Sequence, residues 1–421
     1  MQEIISKHKK SLTSGIFSVC SAHPKVIEAL FLHEQYTSNK VLIEATSNQV
    51  NQFGGYTGMK PINFIDFVKK IAKQSNFDVN RIIFGGDHLG PNCWTNENYE
   101  VAMHKSNVLI EEYVKAGFTK IHLDASMPCK GDPKLLSPEI IAARAALMCK
   151  HAENIATDEQ LEKLGYIIGT EVPVPGGENE ELTAIHISKK DDIKQTIDLH
   201  LNEFDSHGIT HAKNKILGIV VQPGVEFDHS KVFDYDKTKT KEIVNFISQT
   251  PWVYEAHSTD YQSKENLRDL VHDSFAILKV GPALTFAFRE AILSLASIED
   301  ILMPEHKKSN LINVLIKTLL NNPQHWDKYY RGNFDSIRQQ LLFSLSDRIR
   351  YYWTDSTINE SLTIMLKNLQ AIEIPMSLIS QFFPLQYKLI LSGKFKNNVN
   401  NLVLSKIQDV LADYSYACTS G

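Results

Sequence analysis

Cysteine is scarce in this chain and does not cluster. The 421 residues contain five, Cys20, Cys93, Cys129, Cys149 and Cys418, with no C-x-x-C pair. An odd, scattered set argues against a disulfide framework and a thiolate zinc site, and predicts free thiols in a reducing cytoplasm. Long apolar runs are missing as well. No stretch approaches the roughly 18–20 residues that a membrane-spanning helix requires. The opening residues MQEIISKHKK lack the apolar centre of a signal peptide. Charge of one sign is also missing: 44 basic residues against 49 acidic leave −5 at neutral pH. A nucleic-acid binder would show a basic domain, so that class is set aside. No G-x-x-x-x-G-K-[ST] loop is present, and a P-loop kinase reading has no support. Nothing in the chain repeats or is of low complexity.

What is present is a set of short apolar runs, at 15–23, 40–46, 81–88, 120–126, 166–172, 216–224, 252–258 and 275–281. They are bounded by Gly, Pro, Asn or Asp, and several are continuous rather than alternating, as strands covered on both faces should be. Helix-like, mixed-charge stretches separate most of them, among them 61–73, 96–116, 137–152 and 193–208. Alternation of this kind implies parallel strands joined by crossovers. Eight units over about 280 residues match the usual size of a (β/α)8 TIM barrel, roughly 250 residues. The expected organisation is a barrel over 1–300, with 283–301 as its last helix, and a helical extension over 301–421 packed on it. Asn96 is the expected cap of the helix that ends before Gly117.

Almost every run ends in a polar side chain, and in a barrel those ends converge on the active-site face. Asp87 and His88 follow two glycines in GGDHLGPN, and the pair can supply a proton acceptor and a metal ligand. Glu171 ends the fifth run and reads as a general base or metal ligand; Glu178 lies beyond it. Glu255 and His257 are two apart, so both can point to one side of a strand and share a metal. Glu226, Asp228 and His229 follow the sixth run. With His88, Glu255 and His257, His229 completes a candidate mixed His and carboxylate site suited to a divalent metal, zinc first. Lys279 on the eighth run can pair with a carboxylate or hold a phosphate. Lys40 and Lys120 start their strands and belong to the opposite, stability face. Asn48 and Gln49 sit in the amide-rich TSNQVNQFGGYTG, where amides suit sugar hydroxyls. Asp347-Arg348-Ile349-Arg350-Tyr351-Tyr352-Trp353 in the extension reads as a brace or an interface.

Taken together, CSAHP (20–24), VLIEATSNQVNQFGGYTGM (41–59), GGDHLGPNCW (85–94), KIHLDASM (120–127), IGTEVPVPGGE (168–178), IVVQPGVEFDHS (219–230), VYEAHSTDYQ (253–262), ILKVGPALTFA (277–287) and SLSDRIRYYW (344–353) resemble the GatZ/KbaZ family. Its members are accessory subunits of class II D-tagatose-1,6-bisphosphate aldolases, and the likeness is closest to the galactitol-pathway branch. The family is in turn similar to zinc-dependent class II aldolases, whose Asp-His pair after the third strand is matched by Asp87 and His88. Their Asp-Gly-Ser resembles Asp124-Ala125-Ser126, which with Asn48, Gln49 and Lys279 gives candidate substrate-binding residues. Their Glu-Leu-Gly segment resembles Glu171-Val172-Pro173, which with Asp87 gives candidate catalytic residues. The departures are at strands six to eight. There the aldolases' zinc histidines and phosphate-holding glycines are replaced by PGVEFDHS and EAHSTD, and the Asn after Lys-Val is Gly281.

The resemblance implies an accessory subunit that binds a catalytic class II aldolase chain and supports its folding and activity in tagatose-bisphosphate cleavage. A sugar phosphate ligand and self-association are compatible with it. The alternative, drawn from the polar residues themselves, is a metal-dependent aldolase or epimerase acting on a sugar or sugar phosphate.

Overall fold

The computed structural model describes residues 1–170 and 185–419. The described residues form ten strands: β1 Ile16–Val19, β2 Val41–Thr46, β3 Ile82–Leu89, β4 Lys120–Leu123, β5 Gly165–Ile168, β6 Ile216–Val220, β7 Glu226–Phe227, β8 Val232–Phe233, β9 Val253–Ala256 and β10 Ile277–Val280. Eight of them close into a parallel barrel in the order β1-β2-β3-β4-β5-β6-β9-β10, with β10 returning to β1. Every expected run supplies one barrel strand. The remaining two, β7 and β8, form a small antiparallel ribbon between the sixth and seventh barrel strands. Two-residue strands leave no periodicity, so this ribbon was not foreseen.

Local sequence accounts for the elements. Helix Pro61–Gln74 buries Phe64, Ile65, Val68, Ile71 and Ala72 on one face, and Pro61 opens it. Helix Tyr99–Ala116 is capped by Asn98, whose side chain accepts from the Glu100 N–H, not by Asn96. It stops at Gly117, where φ is 104°. Helix Gln2–Ser11 closes the N-terminal end of the barrel, with Ile5 packed among Ile16, Leu42, Ile83 and Leu217. Lys40 lies at that end, as expected, paired with Glu3 at 3.0 Å.

The outer layer differs from the expectation in one respect. The predicted last barrel helix forms as Pro282–Leu302, but it leads outward and is buried nearly all round. Helix Val399–Cys418 packs between Pro24–Glu34 and Lys264–His272, against Pro282–Leu302 and β1. The Gly15 N–H donates to the Cys418 carbonyl at 2.9 Å, and Tyr414 Oη donates to the Thr259 carbonyl at 2.8 Å. The C-terminal helix therefore occupies the place over β1. A helix with apolar residues on most of its circumference, as Pro282–Leu302 has, needs cover on more than the barrel side. From Met303 on, the described chain is helical. No described helix is long and apolar enough to cross a membrane. All five cysteines are free thiols.

Candidate functional site at the barrel mouth

The stagger of the strands builds the site. Glu44 on β2 lies level with Gly85 on β3, and Gly85 level with Lys120 on β4. A Cβ at Gly85 would stand 2.7 Å from Glu44 Cγ. The missing side chain thus lets Glu44 and Lys120 meet across β3. Lys120 Nζ lies 2.7 Å from both Glu44 Oε1 and Glu255 Oε2, with all three side chains fully buried. These are ion pairs rather than well-angled hydrogen bonds, since none of the three atoms has a hydrogen-bond partner. This corrects the assignment of Lys120 to the stability face. The first residue of β4 sits at mid-height of β2 and β3, inside the barrel. The room at Gly85 and Gly86 is filled by protein atoms, Glu44 in one case and Leu89 with Tyr113 in the other, not by a ligand.

Lys279 stands above this layer. Its Nζ is 2.7 Å from Glu44 Oε2, 2.8 Å from Asp87 Oδ1 and 3.8 Å from Glu255 Oε1. Burial opposes its charge, but Asp87, Glu44 and Glu255 hold its ammonium well above the usual lysine range. Asp87 and Glu255 are held well below the usual carboxylate range: burial again opposes, and the cations beside them prevail, His88 and Lys279 for Asp87, Lys120 and Lys279 for Glu255. His88 has φ 48°, the left-handed region. Its Nδ1 lies 2.7 Å from Asp124 Oδ2, and Asp124 is fixed by the Ser126 N–H at 3.0 Å and Ser126 Oγ at 2.6 Å. Burial works against a charged His88, yet Asp87 and the bond to Asp124 raise its pKa.

His257 Nε2 lies 2.9 Å from Glu255 Oε1, and burial lowers its pKa to about 4. The rings of His88, His122 and His257 are 4.9–5.3 Å apart, centre to centre. His122 was missed in the sequence because it sits inside β4 rather than at its end. Its Nδ1 is 3.1 Å from Asp87 Oδ1, and its Nε2 is buried without a hydrogen-bond partner. Asp87, His122, Glu255 and His257 each offer a donor atom within 4.8 Å of the others. Two imidazoles, two carboxylates and an unpartnered ring nitrogen fit a divalent metal in donor type. His88, the expected ligand, is not among these four; its Nδ1 is bonded to Asp124 and its Nε2 lies 3.9 Å from Asp87 Oδ2.

The other candidates are placed as follows. His229 is not among these residues; it faces the extension, with Nε2 3.0 Å from the Tyr329 carbonyl oxygen and Nδ1 3.1 Å from Ser346 Oγ. Asp228 Oδ1 accepts from the N–H groups of Ser230 and Lys231 in the turn of the β7–β8 ribbon. Gln49 staples its loop, accepting from the Thr46 N–H and donating to the Cys20 carbonyl, while Asn48 accepts from Cys93 Sγ. Glu171 and Glu178 lie outside the described residues.

Above the network opens a cavity of about 650 Å³. Asp87, His88, His257 and Lys279 line its floor, and Trp353, Leu362 and Val403 of the extension line its upper wall. Asp260 also lines it. Asp260 Oδ1 accepts from the N–H groups of Gly281 at 3.0 Å and Ala283 at 2.8 Å, at the start of helix Pro282–Leu302. The loops after the last two strands, beside a helix N-terminus, are where barrels of this kind hold phosphate. Here the chain's own carboxylate fills that position.

Comparison with known proteins agrees with this architecture. The family model described as D-tagatose-1,6-bisphosphate aldolase subunit GatZ/KbaZ-like matches residues 1–419. The D-tagatose-1,6-bisphosphate aldolase subunit GatZ of Salmonella dublin is 52% identical over 419 residues, covering 100% of this chain and 99% of its own. Its counterpart from Escherichia coli O139:H28 is 51% identical over 418 residues, covering 99% of this chain and 100% of its own. A crystal structure from Sinorhizobium meliloti 1021, described as a probable tagatose 6 phosphate kinase, superposes with a TM-score of 0.89 at 42% identity, covering 96% of this chain and 100% of that one. A full-length family match and relatives at this identity leave one assignment: the chain belongs to the GatZ/KbaZ-like family of D-tagatose-1,6-bisphosphate aldolase subunits.

Proposed function

We propose that the chain is the accessory subunit of a cytoplasmic tagatose-1,6-bisphosphate aldolase. It binds the catalytic class II aldolase chain, supports that chain's folding and activity, and does not cleave the bisphosphate alone. The reaction of the complex is cleavage to glycerone phosphate and glyceraldehyde 3-phosphate. The relatives' names supply the complex. The observation that carries the accessory role is Asp260: a carboxylate bonded to the Gly281 and Ala283 N–H groups repels a substrate phosphate from the position where the fold would hold it. In this reading a barrel over 1–300 and an extension over 301–421 act as one unit.

A second reading, that the chain is itself a metal-dependent aldolase or epimerase, is favoured by the donor set of Asp87, His122, Glu255 and His257. These four would hold a divalent metal, zinc first, and the metal when bound supplies polarisation of a substrate carbonyl. The His88–Asp124 pair would then hold or move a proton beside it. A kinase reading taken from the Sinorhizobium meliloti protein finds no G-x-x-x-x-G-K-[ST] loop in this sequence.

The deciding experiment is co-purification of the chain with its catalytic aldolase partner, followed by aldolase assays of each chain alone and of both together. The expected result is no cleavage by this chain alone, and higher activity and slower thermal inactivation of the partner in its presence. His88→Ala should leave that support intact. Turnover by the isolated chain that disappears in His88→Ala would establish the second reading instead.

A further inference from the structure

The extension places in the cavity wall a cation that no carboxylate of the described residues meets at ion-pair distance. Asp347 takes the left-handed conformation at φ 46°, and its carboxylate is already engaged. Oδ1 pairs with Arg289 at 2.7 Å, and Oδ2 accepts from Thr285 Oγ1 at 2.5 Å. Arg350, one short turn further on, holds its place through other groups. Its Nη1 donates to the carbonyls of Ser346 and Asp347, and its Nη2 donates to Tyr351 Oη at 3.0 Å. Three of the five N–H donors of a guanidinium are thus used. Among the described residues, no carboxylate oxygen forms an ion pair with Arg350 within 4.0 Å. Asp260 and Asp347 both feel the charge of Arg350, but Asp260 turns its Oδ1 to backbone N–H groups and Asp347 is bonded to Arg289 and Thr285.

Arg350 is only partly buried and lines the same cavity as Lys279 and His88. Tyr351 is beside it, with its ring 4.8 Å from that of Tyr56 in the loop after β2. An arginine fork that faces a cavity, lacks an ion-paired carboxylate and keeps two unused N–H donors suits an oxyanion, which it can grip with two parallel N–H bonds.

We propose that Arg350 and the Tyr351 hydroxyl form an anion subsite supplied by the extension. It takes a phosphate monoester on a small ligand whose other end reaches Lys279 and His88 in the floor of the cavity. The subsite stands in for the phosphate position that Asp260 fills. The choice of a sugar phosphate as probe rests on the aldolase reading, whereas the anion subsite does not.

The test is calorimetric titration of the purified full chain with D-tagatose 1,6-bisphosphate, D-tagatose and inorganic phosphate, alongside the assay of support for the catalytic chain. The bisphosphate should bind the wild-type chain, and Arg350→Gln should weaken that binding at least tenfold. Arg350→Lys should retain part of it. D-Tagatose should bind weakly and equally to all variants. The salt dependence of bisphosphate binding should be shallower in Arg350→Gln, which a purely structural role would not produce. Where Arg350→Gln does not fold, Arg350→Lys and Tyr351→Phe give the same comparison, each expected to bind the bisphosphate more weakly than wild type. Equal binding of the bisphosphate by wild type and variants, or no advantage of the bisphosphate over D-tagatose, overturns the proposal. So does inorganic phosphate binding as tightly as the ester. Ester binding by a wild-type chain that gives the catalytic chain no support would instead overturn the accessory reading and leave the subsite standing.

Discussion

Lys120 is the residue on which the polar centre depends. It is fully buried and lies between Glu44 and Glu255. Such pairs add little net stability, but removing one partner leaves uncompensated charge, at a cost of about 3–5 kcal/mol. Lys120→Met should therefore destabilise the chain by about that amount in urea unfolding; a loss below about 1 kcal/mol would show that Lys279 alone satisfies both carboxylates. Asp260 gives a pH signature. Burial raises its pKa from an ordinary 3.8 to about 6, so the folded state holds the proton more tightly than the unfolded one. The associated stability is present below about pH 4 and is lost as pH rises through about 6. Asn keeps an acceptor for Gly281 and Ala283 without the charge. Relative to wild type, Asp260→Asn should gain up to roughly 3 kcal/mol between pH 4 and pH 7, measured as the difference of two stability–pH curves. Asp260→Ala should lose stability at pH 5 and below, because two N–H groups are left bare. Asp87, His88, Glu255, His257 and Lys279 were legible because a polar residue closing an apolar run stands out. Lys120 and His122 were not. One begins a strand and the other lies within it, and only the stagger between neighbouring strands shows that both face the centre. Arg350 read only as part of a brace or an interface, since nothing in DRIRYYW reveals that Asp347 is engaged by Arg289.

Among the elements, helix Val399–Cys418 carries the largest departure from the sequence reading. Strands are recognisable one at a time from their composition. Which of two amphipathic helices covers β1 is decided by packing between distant parts of the chain. Because Leu402, Ile407 and Leu411 are buried against the barrel layer, the extension should not melt separately from it. Leu411→Ala should cost about 2–5 kcal/mol and shift one cooperative transition. Ile43→Ala, in β2, should shift the same transition. The check is a thermal melt followed by far-ultraviolet and tryptophan signals together, since Trp326 and Trp353 lie in the extension and Trp94 in the barrel. A separate early transition seen only by tryptophan would sink this expectation.

For the molecule as a whole, the question is whether the mouth is neutralised by lysines alone or also holds a metal. If Asp87, His122, Glu255 and His257 hold zinc, dialysis against a chelator should lower the melting temperature. Zinc at about a hundredfold over its dissociation constant should restore about 2.7 kcal/mol, and His257→Ala should abolish the response. Elemental analysis of the purified chain supplies the stoichiometry, and a melting curve indifferent to chelator and zinc would argue for the lysines. The closure of the outer layer has a further bearing on how the protein is made. Lys25 and Asn400, bonded at 2.6 Å, are 375 positions apart. A ribosome adding roughly 5–20 residues per second takes on the order of 20–75 s to pass from one to the other. Through that interval the apolar side of β1 and its first helix has emerged but cannot yet be covered. Only synthesis of helix Val399–Cys418 ends that exposure, so the first barrel strand is the last to receive its cover.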